Sequence, residues 1–193
     1  MTHNDILRRI RYTFDFSDAK MTALFGLTGH TVSREQISIW LKKDTDPAYQ
    51  ACTDTELALF LNGLIIERRG KKEGPQAKAE TRLNNNIIFR KLRIALSLKD
   101  NDILDILLLA GLRLSKPELS ALFRKPEHKH YRACKDQILR YFLSGLQLKH
   151  RPDKHSPAKA HTKPESRSTT WPGPNTDKQA KPAFSWDSVS KKK

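Results

Sequence analysis

Apolar residues recur at three- and four-residue spacing along most of the first 150 positions, with polar residues between them, the signature of amphipathic helices. Ile6, Leu7, Ile10 and Phe14 mark a first helix, with Asn4 as its expected cap. Ser17 opens a second, whose apolar face carries Met21, Leu24 and Phe25 and which Gly29 is expected to close as a C-terminal glycine. Ser33 with Gln36 reads as a capping box before a third helix through Ile37, Trp40 and Leu41. Thr53 with Glu56 repeats that box before a longer fourth helix bearing Leu57, Phe60, Leu61, Leu64 and Ile65. The same four-part pattern returns at about 85–97, 100–110, 115–125 and 135–149. There Ser115 and Glu118 form the box again, and Pro117 falls in a first turn, where a missing N–H costs little. No stretch alternates with period two, so the pattern predicts an all-α fold of two tandem four-helix repeats.

The return extends to residue identity. Residues 4–64 recur at 86–146 with a constant offset of 82 and no gap. Identical pairs include Asn4/Asn86, Arg8/Arg90, Arg11/Arg93, Asp18/Asp100, Gly29/Gly111, Tyr49/Tyr131, Cys52/Cys134, Asp54/Asp136 and Gly63/Gly145. One copy of about 60 residues would bury only ~60% of its unfolded surface and be marginal alone. Two copies are too few for an open solenoid. The expected architecture is therefore an intrachain pseudo-dimer, in which equivalent faces meet about a local two-fold. A glycine kept inside the fourth helix of both copies costs ~1 kcal/mol relative to alanine. Two readings are open for it: close approach of that helix to its counterpart, or clearance of a side chain within its own repeat.

Boundaries follow from composition. Residues 1–69 form the first repeat, 70–83 an exposed connector, 84–150 the second repeat and 151–193 a tail. The tail is rich in Pro, Ser, Thr and Lys and nearly free of aliphatic residues, so it is predicted to be disordered and basic. Trp171, Phe184 and Trp186 stand out in it, either as chance aromatics or as anchors able to stack on bases.

The formal charge of +15 is uneven. Residues 4–64 carry seven Lys/Arg against eight Asp/Glu, whereas residues 86–146 carry twelve against six. Positive charge concentrated in one repeat, the connector and the tail points to an acidic partner, RNA or DNA first. Cations kept in both copies are the sharper candidates. Arg8 and Arg11 lie one helical turn apart and share a face, and Arg90 and Arg93 repeat them. Lys42 and Lys43 match Arg124 and Lys125. The candidate nucleic-acid-binding residues are therefore Arg8, Arg11, Arg90, Arg93, Arg124 and Lys125, holding phosphates rather than reading bases. Residues 17–43 also resemble a helix-turn-helix, with Arg34, Glu35 and Ser38 facing out, but the turn from Leu27 to Ser33 is too long for the tight form.

Catalysis finds little support. There is no nucleophile elbow, no Gly-rich phosphate loop and no carboxylate pair that stands out from ordinary helix surface. His128, His130 and Cys134 suggest metal ligands at first sight. The matching residues Asp46 and Ala48 show the histidines to be private to one copy, so neither metal nor cofactor is expected. Cys52 and Cys134 read as buried reduced thiols, no apolar run approaches a bilayer span, and a cytoplasmic, non-enzymatic protein is expected. The alternative to nucleic-acid association is an adaptor whose protein partner docks in a groove between the repeats.

The segments NDILRRIRY, ISIWLKK, FLNGLIIERRGK, RLNNNIIFRKLRIALSLKDNDIL and LRYFLSGL, in that order, resemble the YehS family, a bacterial duplicated domain of unknown function. The resemblance spans about residues 1–150. It implies a small cytoplasmic protein of two tandem helical repeats, and it brings no agreed activity or site residues. The long basic tail departs from the family's compact form.

Overall fold

In the computed structural model, residues 1–71 and 73–152 are described, and they form eight α-helices without a strand. The first repeat holds α1 (His3–Phe14), α2 (Asp18–Gly26), α3 (Arg34–Leu41) and α4 (Asp54–Arg69). The second holds α5 (Asn85–Ala95), α6 (Asp100–Leu109), α7 (Lys116–Leu122) and α8 (Asp136–His150). Trp171, Phe184 and Trp186 lie outside the described residues.

Local chemistry sets most helix starts as expected. The hydroxyls of Ser17, Ser33, Thr53 and Ser115 each accept from the amide three residues on, and Glu56 and Glu118 complete reciprocal boxes. Ser33 caps without reciprocation, because the Gln36 amide turns to Gln50 instead. Asn4 is not a cap. Thr2 takes that role in a box with Asp5, which leaves Asn4 inside α1, buried and free for a tertiary task. Gly29 does close α2 as its C-terminal glycine: it lies in the left-handed region at φ +77°, its N–H donates to the Gly26 carbonyl at 2.9 Å, and the His30 N–H donates to the Phe25 carbonyl at 3.3 Å. Gly111 matches it at φ +89°, and the non-glycine residues Asp15 and Ser97 match each other at φ 55° and 53°. The backbone path is thus duplicated even where it is unfavourable for an L-residue.

The task of Asn4 is to tie α1 to the loop before α4. Its amide donates to the carbonyls of Trp40 and Gln50, both at 2.8 Å. Its oxygen accepts from the Cys52 amide at 2.9 Å and the Tyr49 hydroxyl at 3.1 Å. Asn86 repeats all four bonds with Leu122, Arg132, Cys134 and Tyr131 at 2.8, 2.9, 2.9 and 3.1 Å. Every partner is displaced by 82. A buried carboxamide with its donors and acceptor satisfied avoids the desolvation penalty of an unpaired polar group and fixes one loop geometry. This accounts for three of the identical pairs at once.

The repeats meet by exchange. Each first helix packs chiefly on the other repeat's last helix, α1 on α8 and α5 on α4. Polar contacts follow the same crossing. Arg9 donates to Ser144 Oγ at 3.3 Å, while its equivalent Lys91 donates to Asn62, the equivalent of Ser144. The Leu83 amide donates to Asp54 at 3.0 Å, while the Met1 nitrogen pairs with Asp136. Arg69 reaches the Ile94 carbonyl at 3.4 Å, while Arg151 lies over the Tyr12 ring at 4.6 Å. Reciprocity of this kind is the mark of an isologous interface, here within one chain.

The glycines of the fourth helices serve a different contact. A Cβ on Gly63 would lie 1.9 Å from the Leu24 carbonyl oxygen, and one on Gly145 would lie 1.9 Å from that of Ile106. The close approach is therefore α4 to α2 and α8 to α6, backbone to backbone within a repeat. It is not an approach of α4 to its counterpart, because the two-fold places α5 and α1 there instead.

Candidate nucleic-acid interface

The four arginines shared by both copies are engaged inside their own repeats. Arg11 donates from Nε to the Phe16 carbonyl at 3.1 Å and pairs with Asp18 at 2.7 Å. Arg93 repeats this with Leu98 at 3.4 Å and Asp100 at 2.7 Å. Each arginine thereby ties the end of its helix to the start of the next. Arg8 donates to the Lys42 carbonyl and pairs with Asp5, and Arg90 donates to the Phe123 carbonyl at 2.8 Å. Carbonyls at the end of a short helix have no intrahelical donor, so these two arginines satisfy orphaned acceptors. Of the remaining candidates, Arg124 lies 2.9 Å from a ring nitrogen of His128, and Lys125 is exposed just beyond α7. Arg8 and Arg11 line one surface cavity and Arg93 another, and α1 and α5, which carry two arginines each, pack mainly on α8 and α4.

Neighbouring chemistry is structural as well. Burial holds the Cys134 thiol up at about 12, with Asp136 adding to it, and burial raises Cys52 further still. Both thiols are free. Among the described residues no group of three or more His, Cys, Asp or Glu side chains is arranged to hold a metal ion. Arg34, Glu35 and Ser38 are exposed on α3. No described helix is long and apolar enough to cross a membrane.

Cations do converge where the repeats meet, at the C-terminal ends of α4 and α8. Arg68 lies over the Phe14 ring at 5.2 Å, and the His150 ring meets Phe14 edge-on at 5.0 Å. Phe14, Arg68, Leu96, Lys149 and His150 line a cleft of about 360 Å³ that contains no carboxylate. Arg68 and His150 are equivalent positions at offset 82, and so are Phe14 and Leu96. Both members of two equivalent pairs thus face one cleft, which places it across the local two-fold. A second cavity of about 560 Å³ adjoins it, with Arg151 beside Arg68 and His150. Its one carboxylate, Asp15, is already paired with Arg151.

The positive field of the cleft registers on His150, which is held below the ordinary imidazole range by burial first, then by Lys149 and Arg68. Lys149 stands where the first repeat has Glu67, whose charge Lys20 neutralises. The cleft's charge is therefore a property of difference between the copies. A search for cations kept in both passes over it, although the Arg68/His150 and Glu67/Lys149 correspondences are legible at the same offset.

A family model described as a protein of unknown function, DUF1456, matches residues 3–70 and again 85–151, one match per repeat. The uncharacterized protein YehS of Escherichia coli strain K12 is 48% identical over 147 residues, covering 76% of this chain and 94% of that protein. No solved structure matches the chain.

Proposed function

The chain belongs to the DUF1456 family of proteins of unknown function, and on that premise we propose that it is a non-enzymatic protein that binds RNA or DNA through phosphates in the cleft between its repeats. The observation that carries this reading is the convergence of Arg68, Lys149 and His150 on Phe14 in a carboxylate-free cleft. Arg and Lys neutralise phosphate, and the half-buried Phe14 ring, under Arg68 and beside His150, fixes where those cations sit. Cations at a helix C-terminus also complement the helix dipole, so the variants below are chosen to separate binding from stability.

The test is titration of the full chain into a labelled single-stranded or duplex oligonucleotide at several salt concentrations. Each duplex phosphate neutralised contributes about −0.9 to the slope of log K against log salt. Replacing Arg68 and Lys149 together by alanine is expected to make that slope shallower by about two and to leave thermal unfolding unchanged. A flat salt dependence, or a double variant that binds like the parent, refutes the reading.

The adaptor alternative draws on a separate observation, the exposure of Leu108 and Leu109 on the second repeat. It predicts a stoichiometric protein that co-purifies after nuclease treatment, whereas the nucleic-acid reading predicts that nuclease removes whatever co-purifies.

A further inference from the structure

The connector forms a strap over one side of the first repeat. It leaves α4 at Gly70 and turns at Gly74, at φ +82° and +94°, conformations that glycine adopts without strain. Two ties then hold it. The Asn62 amide donates to the Ala77 carbonyl at 3.4 Å, and Glu80 pairs at 2.9 Å with Lys91, which is buried and also donates to the Asn62 oxygen. An ammonium group only donates, so it fixes the Asn62 oxygen toward Lys91 and the amide nitrogen toward the strap. The strap is therefore held at a set place by buried polar chemistry.

These ties do not bring the strap down onto the helices. Between it and the first repeat lies a cavity of about 580 Å³, a size within the ~300–1,000 Å³ of small-molecule sites. Its walls are aliphatic: Leu27 beyond α2, Leu59, Ile65 and Ile66 from α4, and Pro75 and Ala79 from the strap. Among the described residues that line it there is no aromatic ring and no carboxylate, and its charges are those of Lys71 and Lys78, both exposed. The buried Asn62 is already engaged by Lys91 and Ala77. The second repeat does not keep this wall, because Tyr141 and Gln147 stand in the places of Leu59 and Ile65.

We propose that this cavity binds a single-tailed aliphatic anion, of the class of a medium-chain carboxylate. The chain lies against Leu27, Leu59 and Ile65, and the head stays at the rim with Lys71 and Lys78. Walls without a ring offer a planar aromatic ligand no stacking partner, whereas a saturated chain gains from every methylene it buries. Two cations with no opposing carboxylate select a negative head, and a head left at the rim keeps its water. The cavity shares no lining residue with the cleft between the repeats, so its test is read separately from any nucleic-acid result.

The experiment is titration of the methyl-labelled full chain with decanoate, kept below its micelle concentration, with the Leu27, Leu59 and Ile65 methyl resonances followed by NMR. A saturable shift centred on those methyls is expected, with none from acetate at the same concentrations. Octanoate, shorter by two methylenes, should bind about tenfold more weakly. Decyltrimethylammonium should also bind about tenfold more weakly than decanoate, and Lys71→Glu with Lys78→Glu should reverse that order. Both lysines are exposed, so this double variant is expected to unfold at the parent temperature. Ile65→Gln, which copies the second repeat, should weaken decanoate about tenfold. Shifts that do not saturate, shifts centred elsewhere, or a decanoate affinity that survives the double lysine variant overturn the proposal.

Discussion

The first and second repeats of this chain agree in their buried asparagine hubs and in their glycine crossings, and disagree in their charge. Asn4 and Asn86 make four equivalent hydrogen bonds each, and Gly63 and Gly145 allow the same backbone contact at the same distance. Around these fixed points the surface has changed sign, as at Glu67 and Lys149. The comparison separates what the fold requires from what a partner would read. A buried carboxamide or a backbone crossing has no substitute of the same shape, whereas an exposed charge is worth ~0–1 kcal/mol to stability and is free to vary.

Breaking the agreement should have the largest effect at the glycines. Alanine at position 63 or 145 would normally stabilise a helix by ~1 kcal/mol. Here its Cβ meets a carbonyl oxygen that cannot move without its helix, so each change is expected to destabilise by about 3 kcal/mol in urea unfolding. A neutral or stabilising result at either position would show that the crossing is looser than the structure has it. Next come the asparagines. Asn4→Asp and Asn86→Asp each turn two donated bonds into carboxylate facing carbonyl, and both should cost more than the corresponding alanine variants, which lose about 2–4 kcal/mol. The two positions should respond alike, since their partners are equivalent.

Positions that have diverged should respond unequally. Lys91→Met strands the half-buried Glu80 carboxylate and the Asn62 oxygen and should cost about 2–3 kcal/mol, against less than about 1 kcal/mol for Arg9→Met. Equal losses, measured by the same unfolding curves, would show that the buried Lys91 and the half-buried Arg9 play the same part after all. A smaller effect concerns pH. Asp136 is held below the carboxylate range by the Met1 nitrogen first and then Asn85. Asp5 is lowered too, because bonds from Arg8 and Thr2 outweigh the opposing effect of burial. Their contribution is complete above the unfolded carboxylate values near pH 4 and is lost as pH falls below that. The thiols act in the other direction. Their folded pKa values are raised, so stability should also decline as pH rises above about 9, where unfolded thiols ionise first. At pH 8 neither thiol of the folded chain should react with a disulfide reagent, and rapid reaction of either would place it nearer the surface than the structure does.

Much of the fold was legible in the sequence. The apolar spacing located all eight helices, and the offset of 82 implied the pseudo-dimer. What it hid was direction. Asn4 looked like a cap because caps and buried hubs use the same side chain, and only the loop packed above it distinguishes them. Gly63 signalled a close approach without saying to which helix, since exchange of α1 and α5 between repeats is invisible to local spacing. For the candidate site the same filter picks out residues that also have structural partners. Cations retained in both copies, Arg11 and Arg93 above all, are retained because each clamps a carbonyl and an aspartate. The cleft residues Arg68, Lys149 and His150 come together only once the C-terminal ends of α4 and α8 border the same cleft.

The claim that shared positions hold the fold while divergent charge binds is tested most directly by one oligonucleotide titration at low salt, run on three chains. Replacing Arg68 and Lys149 by alanine should weaken binding by about tenfold and leave the melting temperature in place. Replacing Arg11 and Arg93 by alanine should lower the melting temperature and leave the affinity of the folded chain unchanged. If the Arg11/Arg93 variant loses binding while the Arg68/Lys149 variant retains it, the account is contradicted.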